Sequence, residues 1–302
     1  MPKKYVLVTG NGFDLDLGLE TRYSDFAKSQ EWATMCEKYT SRYGNYYLLK
    51  YLNERKTDYW FDIEQALLDY ASVENENTFE RDVGVDKIEY QAVCDSLKEY
   101  LEHHVRTRRH SIDKLFGIRL LQEFQKGRKG RKIYTFNYTP LKLIARVAAI
   151  SSLIPFVHMH GSIEDGGIIL GFNIKSPQQI IPEYSFMVKN NSPLYHPTKL
   201  KQDLVGADEV IIFGHSMNMI DANYFKNYLQ FLSEDFETDK RLTMITYNSE
   251  SSQMILKNIQ QMGIDTHKLF TRGNVEFVLS EDIENRSPMQ EKLKRLLERM
   301  KY

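Results

Sequence analysis

Four short segments carry the residues whose types and spacing could do chemistry. The first, Gly10-Asn11-Gly12-Phe13-Asp14, follows a brief apolar run from Tyr5 to Thr9. A glycine turn between a buried strand and a helix lets backbone N–H groups approach a pyrophosphate, where the helix N-terminus favours negative charge. Three more segments, Thr135-Phe136-Asn137-Tyr138-Thr139, His158-Met159-His160-Gly161-Ser162 and Phe213-Gly214-His215-Ser216-Met217, stand at the ends of similar runs. In an open α/β sheet, ligands bind outside the carboxyl ends of the strands, so all four segments are expected to line one dinucleotide cleft. The fingerprint of hydride-transferring enzymes wants a third glycine three residues after the second, and Leu15 stands there instead.

Each of these residues has a second reading. His160 is either a proton-transfer group or a core histidine bonded to backbone. His158 lies two residues earlier and so shares a strand face with it, which suits a metal pair or simple packing; with no third ligand evident, packing is the better reading and no metal is expected. Asn137 either orients a ligand or caps the helix expected near Pro140. His215 is either a loop histidine or a neighbour of phosphates. Asn248, at the end of the run Arg241 to Tyr247, either contacts a ribose or serves a turn.

The elements that must position these groups follow from the pattern of apolar runs. Short β-branched runs at Tyr5 to Thr9, Lys132 to Phe136, Phe156 to His160, Ile168 to Gly171, Glu209 to Phe213, Arg241 to Tyr247 and Val275 to Leu279 alternate with helical periodicity. That alternation predicts an α/β fold with a parallel sheet. Residues 24–130 carry helical pattern and no strand signal, so a single domain spanning 1–302 with a large all-helical insertion is expected. The insertion's apolar and aromatic stripe, which includes Leu48, Leu49, Leu52, Trp60, Ile63 and Leu67, reads as core. Glu74 to Asp82 is polar enough for a mobile loop. Asn173 to Leu200, with Pro177, Pro182, Pro193 and Pro197, is either a lid over the site or a loop packed in one conformation.

Composition narrows the function classes. With 40 Lys+Arg against 41 Asp+Glu, no global field draws the chain to nucleic acid or acidic lipid. The basic runs Arg106 to Arg109 and Arg128 to Lys132 read as solvated faces, so nucleic acid is not the expected partner. Two cysteines, Cys36 and Cys94, fit a reducing compartment and are too few for a four-thiolate zinc site. Only five or six apolar residues precede Gly10, too few for a signal peptide, and no run is long enough for a membrane span, so a cytoplasmic location is expected.

In order and spacing the four segments resemble the sirtuin NAD-binding core, with its Gly-Ala-Gly-x-Ser loop, its Thr-Gln-Asn-Ile-Asp, its His-Gly and its Gly-Thr-Ser. Gly10, Gly12, Gly18 and Leu19 align with the first loop, Asn137 with the asparagine, His160-Gly161 with the His-Gly, and Gly214 and Ser216 with the last motif. A closer resemblance is to the bacteriophage abortive infection AbiH family. Its landmarks look like Gly10-Asn11-Gly12-Phe13-Asp14-Leu15, Tyr23-Ser24-Asp25-Phe26, Trp60-Phe61-Asp62-Ile63-Glu64, Thr135 to Thr139, His160-Gly161-Ser162 and Gly214-His215-Ser216. The likeness implies a sirtuin-like (DHS-like) Rossmann-type sheet and a role in phage resistance through arrest or death of the infected cell. It departs from sirtuin deacylases in having no cysteine between residues 163 and 208, in His215 for threonine and in Asp14 for serine, so peptide deacylation is not implied.

What the resemblance implies chemically is an antiphage effector that binds NAD and hydrolyses it to nicotinamide and ADP-ribose. The nicotinamide–ribose bond breaks through an oxocarbenium-like state and its leaving group departs neutral, so positioning and charge stabilisation suffice. Asn137 would orient the ribose and the attacking water, His160 would accept a proton, and Asp14 would add a carboxylate. Gly10, Asn11, Gly12, Phe13, Gly214, His215, Ser216 and Asn248 would hold the dinucleotide. Glu64 falls near the site on the same likeness, or is a solvated helix carboxylate. Two rival expectations stand beside this one: a non-catalytic NAD or ADP-ribose sensor acting through partner contacts, and a nucleic-acid-acting effector. Homo-oligomerisation and a phage-derived trigger stay open.

Overall fold

The structure is a computed structural model that describes residues 3–43, 46–56, 61–76, 78, 80–107, 116–127, 129–151, 153–164, 167–193, 195, 197–235, 238–271, 273–281 and 288–300. Trp60, Arg108, Arg109 and Arg128, singled out above, lie outside the described residues. The chain forms β1 (Tyr5–Thr9), α1 (Asn11–Asp16), α2 (Tyr23–Phe26), α3 (Gln30–Tyr43), α4 (Leu48–Arg55), α5 (Ile63–Ala71), α6 (Val83–Thr107) and α7 (Phe116–Lys126). It continues with β2 (Arg131–Thr135), α8 (Leu141–Val147), β3 (Phe156–His158), β4 (Gly161–Ser162), β5 (Gly167–Ile168), α9 (Pro197–Gly206) and β6 (Glu209–Phe213). The last elements are α10 (Ala222–Glu234), β7 (Arg241–Thr246), α11 (Ser249–Gln261), α12 (Thr266–Phe270), β8 (Val275–Leu279) and α13 (Pro288–Arg299). Two compact units result: Met1–Gly18, His110–Met159 and His196–Tyr302 form one, and Leu19–Arg109 with His160–Tyr195 the other.

The first unit is a Rossmann-like α/β body. Its six strands lie in the order β3-β2-β1-β6-β7-β8, all parallel. Every residue of β1 and β6 is buried. Successive strand residues point to opposite faces, so both faces of the sheet centre are covered, as parallel sheets require. Counted within the sheet alone, the order is 3-2-1-4-5-6, which reverses direction between β1 and β6. The strand starts are closed by polar ties: Arg299 grips Glu209 at 2.8 Å and Glu276 at 3.2 Å, Tyr5 Oη donates to Arg299 O, and Arg131 donates to Phe124 O and Met300 O. The carboxyl ends of the strands are thereby the end left for a site.

The run Ile168 to Gly171 is not a strand of this sheet. It belongs to the other unit, where only Gly167–Ile168 pairs, antiparallel, with Gly161–Ser162. Ile169, Leu170 and Phe172 are buried there without a ladder, so an apolar run reflects burial and not pairing. β3 likewise stops at His158, and the strand alternation that would place His158 and His160 on one face does not extend to His160. α7 belongs to the first unit, where Gly117 N donates to Asp16 Oδ2 at 2.7 Å and Phe116 packs against Phe213.

The second unit is built on α2 to α6 together with residues 160–195. Between β1 and β2 the described residues form no ladder strand, only helices, turns and one isolated bridge at Ser72. Aromatic rings fill the core, with Trp32 edge-on to Phe26 and Phe61 and Tyr70 edge-on to Tyr184. The proline-rich stretch packs as short 3-10 turns at Pro177–Gln179, Pro182–Met187 and Lys189–Asn191, and Tyr184 and Met187 are buried in it. The polar loop after α5 is tied by Arg81, which donates to Tyr70 O, Asn75 O and Glu76 O.

Asp86, buried on α6, accepts from Tyr70 Oη, Tyr184 Oη and the first amide of α4, Leu48 N. One carboxylate thus satisfies two phenols and a helix start. Asp86→Ala leaves three buried donors without an acceptor and is expected to lower unfolding free energy by roughly 2–4 kcal/mol in urea titration. An unchanged midpoint would contradict this account of the unit's core.

Candidate functional site

The tips of β1, β2 and β6 bring three of the four motif segments together in the first unit. Gly10 N donates to Phe213 O and Gly12 N to Gly214 O at 2.8 Å. A Cβ on Gly12 would stand 2.6 Å from Gly214 Cα, and one on Gly10 would stand 2.7 Å from His215 Cα. Backbone lies directly on backbone, and only glycine permits it. Gly214 also holds a φ of +67°, in the left-handed region.

Asn137 anchors the tip of β2. Its Nδ2 donates to Gly10 O at 3.0 Å and to Asp14 Oδ1 at 2.8 Å. Both partners accept, so the amide seats only this way round and its Oδ1 is what remains to offer a ligand. The expected capping role is absent: α8 begins after Pro140, with no side-chain cap. His158 donates from Nδ1 to Asn137 O at 3.0 Å, since a carbonyl only accepts. Thr135 Oγ1 accepts from Asn137 N.

Asp14 is 1% exposed. Its second oxygen accepts from Thr139 Oγ1 at 2.5 Å. Burial pushes its carboxyl up from 3.8 to about 7, against the lowering effect of the Thr139 and Asn137 hydrogen bonds. The carboxylate expected beside a developing cation is therefore a buried tie between α1 and the β2–α8 loop.

The remaining expected ligand contacts divide between core and surface. The Phe13 ring is buried edge-on to Phe213, so Phe13 offers only its backbone outward. The buried His215 accepts from Met217 N at 2.9 Å and lies 3.4 Å from Asp221, its ring packed against Phe136 and Phe225. Asn248 caps α11 by accepting from Ser251 N at 3.0 Å. Asn11 and Ser216 are exposed, at the tips of β1 and β6. In the basic run that leads into β2, the strand's first two residues are engaged, Arg131 on backbone carbonyls and Lys132 on Asp203 at 2.7 Å, which removes two of the run's cations from any nucleic-acid face.

His160 belongs to the second unit, where it has neighbours the sequence did not announce. Lys189 Nζ lies 3.3 and 3.5 Å from the two ring nitrogens and 2.8 Å from Glu64 Oε2. All three residues are buried, with no exposure at all for the Lys189 side chain. Lysine is almost never buried unless paired, and nothing in the aperiodic, proline-rich stretch around Lys189 marks it as internal. Among the described residues, no group of three His, Cys, Asp or Glu side chains is arranged to hold a metal ion. No helix of the described residues is long and apolar enough to cross a membrane.

Comparison with known proteins adds one finding: the family model described as Bacteriophage abortive infection AbiH matches residues 6–245, well over half of the chain. No curated protein matches it.

Asp14 gives the site a pH signature. Its folded pKa lies above its unfolded one, so its stabilising effect is fully present below about pH 4 and is lost as pH rises through 7. Asp14→Asn stays neutral and removes that loss. The stability gap between wild type and variant should shift in the variant's favour between about pH 5 and 8, read by urea midpoints at each pH. A gap that does not change with pH would mean that Asp14 is not a buried acid.

Proposed function

Because the chain belongs to the bacteriophage abortive infection AbiH family, we propose that it is a cytoplasmic antiphage effector with a sirtuin-like site that binds NAD and hydrolyses it to nicotinamide and ADP-ribose. The observation that carries this reading is the place of the glycine turn. Gly10, Gly12 and Gly214 lie at the tips of β1 and β6, where the strand order reverses, and that is where open α/β sheets hold dinucleotides.

The roles follow from the chemistry. Asn137, its amide donors already engaged, presents Oδ1 to a ribose hydroxyl or to the attacking water. A proton acceptor, the role that the family likeness gives His160, takes the proton that this water releases as its oxygen bonds to the ribose carbon. The bond from that carbon to nicotinamide breaks, and its electron pair neutralises the departing ring. Asn11 and Ser216, exposed at the strand tips, are the side chains assigned to the phosphates and adjoining ribose. A trigger of phage origin would release an activity that is otherwise restrained, since continuous NAD loss would harm the host.

One observation favours a second reading, a non-catalytic sensor of NAD or ADP-ribose. Asp14 is sealed from solvent with both oxygens occupied, so it adds no carboxylate to a developing cation.

Incubation with NAD separates the two. Wild type should release nicotinamide and ADP-ribose, and Asn137→Ala and His160→Ala should each slow release by about a hundredfold or more. Equal turnover in all three would remove the site assignment. Binding without turnover would select the sensor.

A further inference from the structure

We infer that Lys189 is a positioning residue for His160: held as a cation by Glu64, it keeps the imidazole neutral and fixed in place, ready to accept a proton. This rests on the assignment of His160 as the proton acceptor, made above on other grounds.

Three separate segments of the second unit build the trio. Glu64 lies in the first turn of α5, which Asp62 caps by accepting from Glu64 N and Gln65 N. Its Oε1 faces Gly171 N at 3.4 Å, where Gly171 has a φ of +143° and a Cβ would meet Met187 O at 2.1 Å. Lys189 is locked on both sides by backbone, its N donating to Phe172 O and its O accepting from Ser192 N. His160 O accepts from Ile169 N at 2.7 Å, and Gly161, at φ +75°, turns the chain immediately after it.

A structural role alone accounts poorly for this arrangement. A buried ion pair repays its desolvation only when its geometry is excellent, and apolar residues of like volume usually serve as well. What the pair does that apolar residues cannot is set the charge state of a third group. A cation within about 4–6 Å disfavours protonation of an imidazole, and burial acts in the same direction. Glu64 keeps Lys189 charged, so the cation does not itself become the proton acceptor. Among the described residues, α6 brings two further titratable groups to the Glu64 side of the trio. There Tyr90 donates to Leu170 O, burial holds its phenol above its usual range, and burial pushes the neighbouring Cys94 thiol up to about 12, so both are neutral wherever histidine titrates.

The test is a pH titration of the His160 ring nitrogens by NMR on protein labelled with 15N-histidine, with the resonance assigned by its loss in His160→Gln. Wild-type His160 should stay neutral to below pH ~6, under the ordinary histidine midpoint of about 6.5. In the double variant Glu64→Gln with Lys189→Met, which exchanges the pair for neutral groups of similar volume, the midpoint should rise by about one pH unit or more. Lys189→Arg, which keeps the charge, should leave it low. A folded double variant with an unmoved midpoint would overturn the inference, and so would a wild-type His160 that is charged at pH 7, a result that needs no variant to fold. No NAD enters the measurement. Absent turnover with the expected midpoint shift counts against the proposed reaction and not against the pair, whereas turnover with no shift counts against the pair alone.

Discussion

The first unit depends on one close contact, the backbone of Gly12 lying on the backbone of Gly214. The two strands it joins are neighbours in the sheet but distant in sequence, and their tips could separate freely above the last ladder bond. Gly12 N bonding to Gly214 O, with no side chain on either residue, draws the β1–α1 turn against the turn after β6. Asn137 then reaches Gly10 O and Asp14 from the other side of β1, so the tips of β2, β1 and β6 form one continuous polar edge. Glycine at positions 10 and 12 is thus explained by packing before any ligand is considered, and a ligand would inherit the surface that the packing makes.

Buried acids in both units share one logic within different surroundings. In the first, Asp14 accepts from Asn137 and Thr139 and remains protonatable near neutrality because few donors offset its burial. In the second, Asp86 accepts from two phenols and an amide, and Glu64 faces a full cation. The charge on each is decided by what donates to it, because an unpaired carboxylate away from water is too costly to keep ionised.

The sheet was legible in the sequence because a parallel strand buried on both faces follows the rule of an unbroken apolar and β-branched run, which Tyr5 to Thr9 and Val210 to Phe213 satisfy, whereas Val275 to Leu279, an edge strand, is interrupted by Glu276. Ile168 to Gly171 satisfies it too, yet is buried in the helical unit with almost no strand pairing, so the rule reports burial and cannot report partners. The glycine positions at 10, 12 and 214 were legible for a related reason, since each must lack a Cβ wherever backbones touch. Lys189 was not legible. A charged residue in an aperiodic segment reads as surface, and its burial follows from Glu64, a hundred and more residues earlier, which no local pattern links to it. The histidines were half legible: residue type marked them as titratable, but only coordinates show His215 packed against two phenylalanines and His160 beside a cation.

The central claim, that the glycine turn is there first for backbone contact between β1 and β6, is tested most directly by urea unfolding of Gly12→Ala without any nucleotide present. An added methyl 2.6 Å from Gly214 Cα forces the tips apart, and the account predicts a loss of about 2 kcal/mol or more. An unchanged unfolding midpoint, with only NAD binding impaired, would contradict it and make Gly12 a ligand-facing residue alone.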